Sequence, residues 1–263
     1  MKKAYLYIVI LALVALVSCS EQPRLTIYMV GDSTMADYRD TIGIPIRGWG
    51  QVLPTFLKKN VVVRNHAKDG RSTKSFIDEG RWNMVMKKLG KGDVVVIQFG
   101  HNDALKHSPS LFSSPQEYAE NLGFMIRQAK SAEAFPILCT PIAGRVFVGD
   151  SLQNIHGDYP LEAKKIAERE NVPLVDLTTM TMNWISSLGE EHSQSYFVYQ
   201  IAPGEYKMYP NGKKDNIHLR LKGAVEVAKL FAEAVKVQEI KPLCNYINDD
   251  PKGVKYTKPC KIK

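Results

Sequence analysis

The sequence predicts an α/β fold, a three-layer α/β/α sandwich around a parallel sheet, and three observations carry that reading. Short apolar runs rich in β-branched residues recur at 25–30, 61–63, 94–99, 135–139 and 172–175, the signature of buried strands. Between them apolar residues fall three and four apart, as in helices that cover a sheet on one face. Strand and helix alternate, and parallel strands need such crossovers. With 263 residues, 44% hydrophobic and 24% charged, the chain is long enough for one large core. No repeat, low-complexity stretch or interdomain linker divides it.

The N-terminus stands apart from this pattern. Lys2 and Lys3 precede an apolar run over 5–17, and Leu16-Val17-Ser18-Cys19 places small residues before a cysteine. That arrangement reads as an export signal, too short for a membrane-spanning helix. The tetrapeptide resembles a bacterial lipobox, which implies cleavage before Cys19 and acylation of its thiol. The alternative is an ordinary signal peptide with an incidental cysteine. Ser20 rather than Asp follows, which by the same resemblance implies an outer-membrane lipoprotein held by its lipid alone. The expected organisation is a signal peptide at 1–18, one domain at 19–238 and a basic tail at 239–263.

In order along the domain, the first strand at 25–30 runs into Gly31-Asp32-Ser33-Thr34. A short amphipathic helix is expected over 48–57, a strand at 61–63 and a helix over 82–89. The run at 94–99 is the most hydrophobic, hence central in the sheet. Ser114-Pro115-Gln116-Glu117 carries a cap, a first-turn proline and a capping-box glutamate, starting a helix that should reach about 132. A strand at 137–138, a helix over 161–169, a strand at 172–175, a helix from Thr178 and a last helix over 222–237 complete the pattern.

The formal net charge is +8, and Lys252, Lys255, Lys258, Lys261 and Lys263 crowd the end of the chain. In an exported protein this reads as a solvated surface rather than a nucleic-acid site. Cys139 ends an apolar run and should be a buried small hydrophobe. Cys244 and Cys260 lie in the tail, where export permits a disulfide between them. No metal-ligand spacing occurs.

Four stretches are predicted to carry the chemistry. Gly31-Asp32-Ser33-Thr34, the loop at 65–72 and Gly100-His101-Asn102-Asp103 each follow a strand, so they share the carboxyl edge of the sheet, where ligands bind in open α/β folds. Asp215-Asn216-Ile217-His218 precedes the last helix and can pack over them. Together they suit acyl transfer: Ser33 as nucleophile, His218 as its base and Asp215 to orient the imidazole. The Ser33 and Gly70 backbone N–H groups and the Asn102 amide would form an oxyanion hole. Each piece also has a plainer reading. Ser33 could cap a helix, Gly70 could shape a turn, Asn102-Asp103 could cap, and Asp215 with His218 could form a surface capping pair.

These blocks resemble those of the SGNH (GDSL-type) hydrolases, and more narrowly the rhamnogalacturonan acetylesterase group. The resemblance rests on Gly31-Asp32-Ser33-Thr34, on residues 69–76, on Phe99-Gly100-His101-Asn102-Asp103, and on Asp215-Asn216-Ile217-His218-Leu219 with Gly223-Ala224. It spans roughly residues 27–235. It implies a flavodoxin-like sheet in order 2-1-3-4-5, no metal or cofactor, and removal of acetyl groups from pectic polysaccharide through an acetyl-enzyme. Thr34 points to the acetylesterase group, whereas Ile217 replaces its usual threonine. No Gly-x-Ser-x-Gly surrounds Ser33, which argues against an α/β-hydrolase elbow.

An aromatic segment with Tyr196, Phe197, Tyr199, Tyr206 and Tyr209 ends just before Asp215. Tyr196, Tyr199, Tyr206 and Tyr209 are candidates for stacking on sugar faces, with core packing as the alternative. Arg71, Lys74 and Arg81 stand between anion recognition and surface charge. The alternatives for the whole protein are a lipase or thioesterase of the same superfamily, or a flavodoxin-like or glycan-binding lipoprotein without catalysis. The non-enzymatic readings leave Asp215 and His218 without a task. No oligomer is implied, and a monomer is the default expectation.

Overall fold

The computed structural model describes residues 24–39 and 43–248. The expected signal segment, Cys19 and Cys260 lie outside them. In chain order the elements are β1 (Leu25–Gly31), α1 (Trp49–Val52), β2 (Val61–Asn65), α2 (Thr73–Asp78), α3 (Arg81–Met86), β3 (Val94–Gln98), α4 (Pro115–Ser131), β4 (Phe135–Cys139), β5 (Phe147–Val148), β6 (Ser151–Leu152), α5 (Tyr159–Arg169), β7 (Leu174–Val175), α6 (Leu177–Ser193) and α7 (Leu221–Val237). β2, β1, β3, β4 and β7 form one parallel sheet in that spatial order. With the sheet strands counted alone, this is the expected order 2-1-3-4-5. The small antiparallel hairpin of β5 and β6 has no counterpart in the sequence pattern.

Side-chain alternation along the strands builds two cores. From β1, Leu25, Ile27 and Met29 point to one face, with Val94 and Val96 of β3, and α1, α6 and α7 cover them. Tyr28 and Val30 point to the other face with Val95 and Ile97, under α2, α3, α4 and α5. Both faces of β3 are buried, as its unbroken apolar run requires.

α4 begins as its sequence dictates. The Ser114 hydroxyl accepts the Glu117 N–H, and the Glu117 carboxylate accepts the Ser114 N–H, with Pro115 in first position. The helix expected over 48–57 is shorter. Only Trp49–Val52 is α-helical, and Leu53–Phe56 continues as a 3-10 turn containing Pro54, which has no N–H to give.

The tail reading needs a correction at its start. Ile240, Leu243, Tyr246 and Ile247 are buried in the first core, and a 3-10 turn spans Leu243–Tyr246. Lys58 N–H donates to the Tyr246 carbonyl at 2.9 Å and Asn248 N–H to that of Phe56 at 2.8 Å. Four apolar residues among polar neighbours are enough to dock this segment. Cys139 is fully buried as expected, and burial pushes its thiol pKa up. Cys244 is half-buried in the docked segment.

Candidate active site

β1 ends where only glycine fits, because a Cβ on Gly31 would stand 2.5 Å from the Gln98 carbonyl oxygen. Asp32, Ser33 and Thr34 follow and are buried. Asp32 Oδ1 accepts the Thr34 N–H at 2.9 Å and the Thr34 hydroxyl at 2.7 Å. The Gln98 amide donates to Thr34 Oγ1 at 3.0 Å, and its oxygen accepts the Trp49 indole N–H at 2.7 Å. Trp49 N–H closes the circuit on the Thr34 carbonyl at 2.9 Å. Thr34 thus brackets Ser33 in a satisfied buried network. The other Asp32 oxygen lies 3.3 Å from His101 Nδ1. Burial works to raise the Asp32 pKa, but His101 and Thr34 together hold it below the usual carboxylate value.

Gly70 has φ +70, a left-handed turn that favours glycine, with open space where a side chain would stand. Ser72 then caps α2 through a capping box with Ser75, a start that Ser-x-x-Ser does not announce strongly. The loop after β3 is stitched to this one. Asp103 Oδ1 accepts the N–H and the hydroxyl of Thr73, and burial pushes the Asp103 carboxyl up to about 7. The Asn102 amide donates to the Arg71 carbonyl at 3.0 Å, which leaves its second N–H hydrogen available to a ligand. Ser33, Gly70 and Asn102 therefore lie on three loops at one edge of the sheet.

Asp215 and His218 form a pair. Asp215 Oδ1 accepts the Ile217 and His218 N–H groups at 2.9 Å each, and Oδ2 lies 2.9 Å from His218 Nδ1. Both groups are largely buried, which disfavours charge on each, yet their mutual contact prevails. Asp215 is held down at about 2, its contacts with His218 and two backbone donors outweighing burial, and the His218 pKa is raised. The turn that carries them is clamped from outside. Val198 N–H donates to the His218 carbonyl, Asp215 N–H to that of Val198, and Arg145 N–H to that of Asn216. Arg47 N–H donates to the Leu219 carbonyl at 2.9 Å, tying the turn to the segment that enters α1. Ile217 packs on the backbone of Gly144, where a Cβ would meet its Cδ1 at 2.7 Å. The pocket thus accommodates the isoleucine.

Two residues to which the spacing assigns no role join the halves. The Tyr38 hydroxyl lies 3.1 Å from the Ser33 carbonyl and 3.3 Å from Asp69 Oδ1. That Oδ1 is 3.9 Å from His218 Nε2. Nothing in the spacing of Tyr38 and Asp69, thirty-one positions apart, signals their contact.

The expected sugar-stacking residues separate into groups. The Tyr206 ring is buried with Ile46, Val198 and Ile201, so it packs the loop. Tyr196 meets Trp184 edge-on and carries the Lys222 ammonium 3.8 Å above its ring. Tyr199 lies under the Arg145 guanidinium and borders a 690 Å³ cavity with Glu191, His192 and Arg220. Tyr209 is half-buried, and burial, with the charges of Asp215 and Asp69, raises its pKa. Arg71 is engaged with Glu79 at 3.0 Å and with the Asp69 carbonyl, Arg81 shares Glu79, and Lys74 donates to the Pro109 carbonyl. Among the described residues no group of three or more His, Cys, Asp and Glu is arranged to hold a metal ion.

A parallel sheet whose strand-end loops gather a serine, a glycine turn and an asparagine opposite an Asp-His pair describes an ester hydrolase of the GDSL type. The chain matches the GDSL-like lipase/acylhydrolase family over residues 29–224 and belongs to it; it is a carboxylic ester hydrolase. It is 36% identical over 211 residues to the rhamnogalacturonan acetylesterase RhgT of Bacillus subtilis, covering 80% of this chain and 89% of that protein. A rhamnogalacturonan acetylesterase of Emericella nidulans is 28% identical, covering 84% and 90%. The crystal structure of Bacillus subtilis YxiM superposes with a TM-score of 0.70 at 29% identity, covering 84% of this chain and 58% of that longer one. The acetylxylan esterase Axe2 of Geobacillus stearothermophilus shares the fold, with a TM-score of 0.55 at 19% identity over 82% of this chain and 94% of that one.

Proposed function

We propose that this protein is a serine esterase that removes O-acetyl groups from a plant cell-wall polysaccharide of the rhamnogalacturonan type. The observation that supports the reading is the Asp215–His218 pair, bonded at 2.9 Å, on a turn whose His218 Nε2 lies 3.9 Å from Asp69, the carboxylate that Tyr38 links to the Ser33 carbonyl. The names of two similar proteins over most of their length supply the substrate class.

In the mechanism, His218 Nε2 takes the proton of Ser33 Oγ as that oxygen attacks the acetyl carbonyl. Asp215 keeps the proton of Nδ1 in place, so Nε2 is the free base, and it stabilises the imidazolium that forms. The carbonyl oxygen becomes negative in the tetrahedral intermediate. The N–H groups of Ser33 and Gly70 and the Asn102 amide donate to it, each such donor contributing on the order of a hundred-fold in rate. Collapse breaks the bond to the sugar oxygen, which takes the proton from His218 and departs as a hydroxyl, leaving acetyl on Ser33. Water, activated by the same histidine, attacks the acetyl-enzyme and releases acetate.

The same reading puts the enzyme outside the cytoplasm, anchored by a lipid on Cys19. Cys19→Ser is then expected to release it from the membrane fraction, and unchanged membrane association would overturn the anchor.

Acetate release from acetylated pectin, acetylated xylan and a series of aryl esters of increasing acyl length tests the substrate. Activity on acetylated pectin with a sharp fall beyond short acyl chains is expected. Preference for long acyl chains would instead make it a lipase-like member of the family.

A further inference from the structure

The mechanism above uses one carboxylate on His218, and the structure brings a second. Asp69, on the loop after β2, has Oδ1 3.9 Å from Nε2, the nitrogen that faces the reaction. The same Oδ1 lies 3.3 Å from the Tyr38 hydroxyl, whose single proton is shared with the Ser33 carbonyl at 3.1 Å. Asp69 is thus held next to the histidine by a tyrosine that also touches the serine, although its side chain is 62% exposed. It is also the immediate neighbour of Gly70, so its backbone belongs to the loop that faces the reacting carbonyl.

We propose that Asp69 is a positioning residue that acts through His218: its carboxylate holds the protonated imidazole from the outer side and sets how much free base Ser33 finds at a given pH. The proposal rests on His218 being the base of the reaction. A negative charge beside Nε2 favours imidazolium, so it raises the pH at which the enzyme becomes competent. The other groups facing the ring are Asp215 from its own turn and Asp32 from the turn after β1. Tyr38 and Tyr209 border the same space, and burial keeps both phenols protonated. Lys213 stands over the Tyr209 ring at 5.8 Å on that wall. Asp215 and Asp32 are sheltered from solvent, whereas Asp69 is exposed. Its contribution should therefore be modest and sensitive to salt.

Asp69→Asn keeps the shape and the oxygen that accepts from Tyr38 while removing the charge. His218 is followed by its imidazole proton resonance during a pH titration, assigned by comparison with His218→Gln, alongside kcat/KM for an aryl acetate against pH. At low salt His218 in the Asp69→Asn enzyme is expected to titrate about half a pH unit lower, a screened ion-pair effect. The acid limb of that enzyme should move by the same amount, giving about threefold more activity well below the midpoint. At high salt the two proteins should converge. Tyr38→Phe keeps the charge but frees Asp69 from the hydroxyl that holds it, so its midpoint should fall between those of wild type and Asp69→Asn.

An unchanged or higher His218 midpoint in Asp69→Asn would overturn the proposal. So would a larger shift in Tyr38→Phe than in Asp69→Asn, which would make the hydroxyl rather than the carboxylate responsible. The resonance reports on His218 whether or not the protein hydrolyses esters. Failure of the esterase reading shows separately, as acetate release that survives Ser33→Ala.

Discussion

The two halves of the site are built differently. Ser33 sits on a turn whose neighbours are buried and satisfied: Asp32, Thr34, Gln98 and Trp49 close a hydrogen-bonded circuit inside the sheet edge. Asp215 and His218 sit on an irregular segment held by backbone bonds to 198, 145 and 47 and by their own side-chain pair. The serine half is part of the core, and to disturb it is to disturb the fold. The histidine half is clamped on afterwards, so its chemistry can be removed while the sheet stands. Losses of activity that far outweigh the loss of stability should therefore cluster around 215–218, and losses that begin with stability around 32–34 and 98.

The largest separation should come from Asp215→Asn. It keeps the shape of the turn and removes the charge that orients His218, so kcat is expected to fall on the order of 10⁴-fold. The urea midpoint at neutral pH should fall far less, in proportion. Complete unfolding of the variant would break the comparison.

Asn102→Ala comes next, with kcat lower by about 10²–10³-fold, as for loss of one oxyanion donor, and KM little changed. Its amide also holds the Arg71 carbonyl, so Asn102→Asp, which cannot donate, should be at least as damaging.

Thr34→Val tests the other half. The substitution is near-isosteric and strips a hydroxyl from Asp32 and Gln98. It should cost about 1–3 kcal/mol in a denaturant titration, the range for orphaned buried polar partners. A stable Thr34→Val enzyme with no activity would reverse the comparison.

Acid titration sharpens it further. The folded Asp215 carboxyl is held at about 2 against an ordinary value of 3.8, so the pair stabilises the fold above the ordinary value. That stability, about 2 kcal/mol, is lost as the pH falls from about 4 through about 2. Wild type should lose more stability across that window than Asp215→Asn. Equal losses would mean that the pair does not stabilise the fold.

How much of this the sequence disclosed follows the same division. Apolar alternation in β1 and the unbroken run of β3 made the sheet, its layers and its carboxyl edge legible, because burial on one or both faces writes itself into hydrophobic period. The placement of Ser33, Gly70 and Asn102 after strands, and of Asp215 and His218 before the last helix, was legible for the same reason. The contact of Tyr38 with Asp69 was not, since it joins two loops through side chains that no period constrains. Nor was the docking of residues 240–248, where Ile240, Leu243, Tyr246 and Ile247 are interrupted by Lys241, Pro242, Asn245 and Asn248. Among the aromatics, composition alone could not separate the buried Tyr206 from the half-buried Tyr209. Tyr206→Ala should therefore destabilise the protein by about 3 kcal/mol. Tyr209→Ala should leave the fold intact and raise KM for polymer several-fold, a stacking contribution of about 1 kcal/mol.

The central claim is that Ser33 is the nucleophile of an acetylesterase. Its most direct test is acetate release from acetylated rhamnogalacturonan by wild type and Ser33→Ala, both verified as folded by circular dichroism. Release by wild type is expected, with a loss in Ser33→Ala on the order of 10⁴-fold or more. Release by Ser33→Ala within about tenfold of wild type would contradict it.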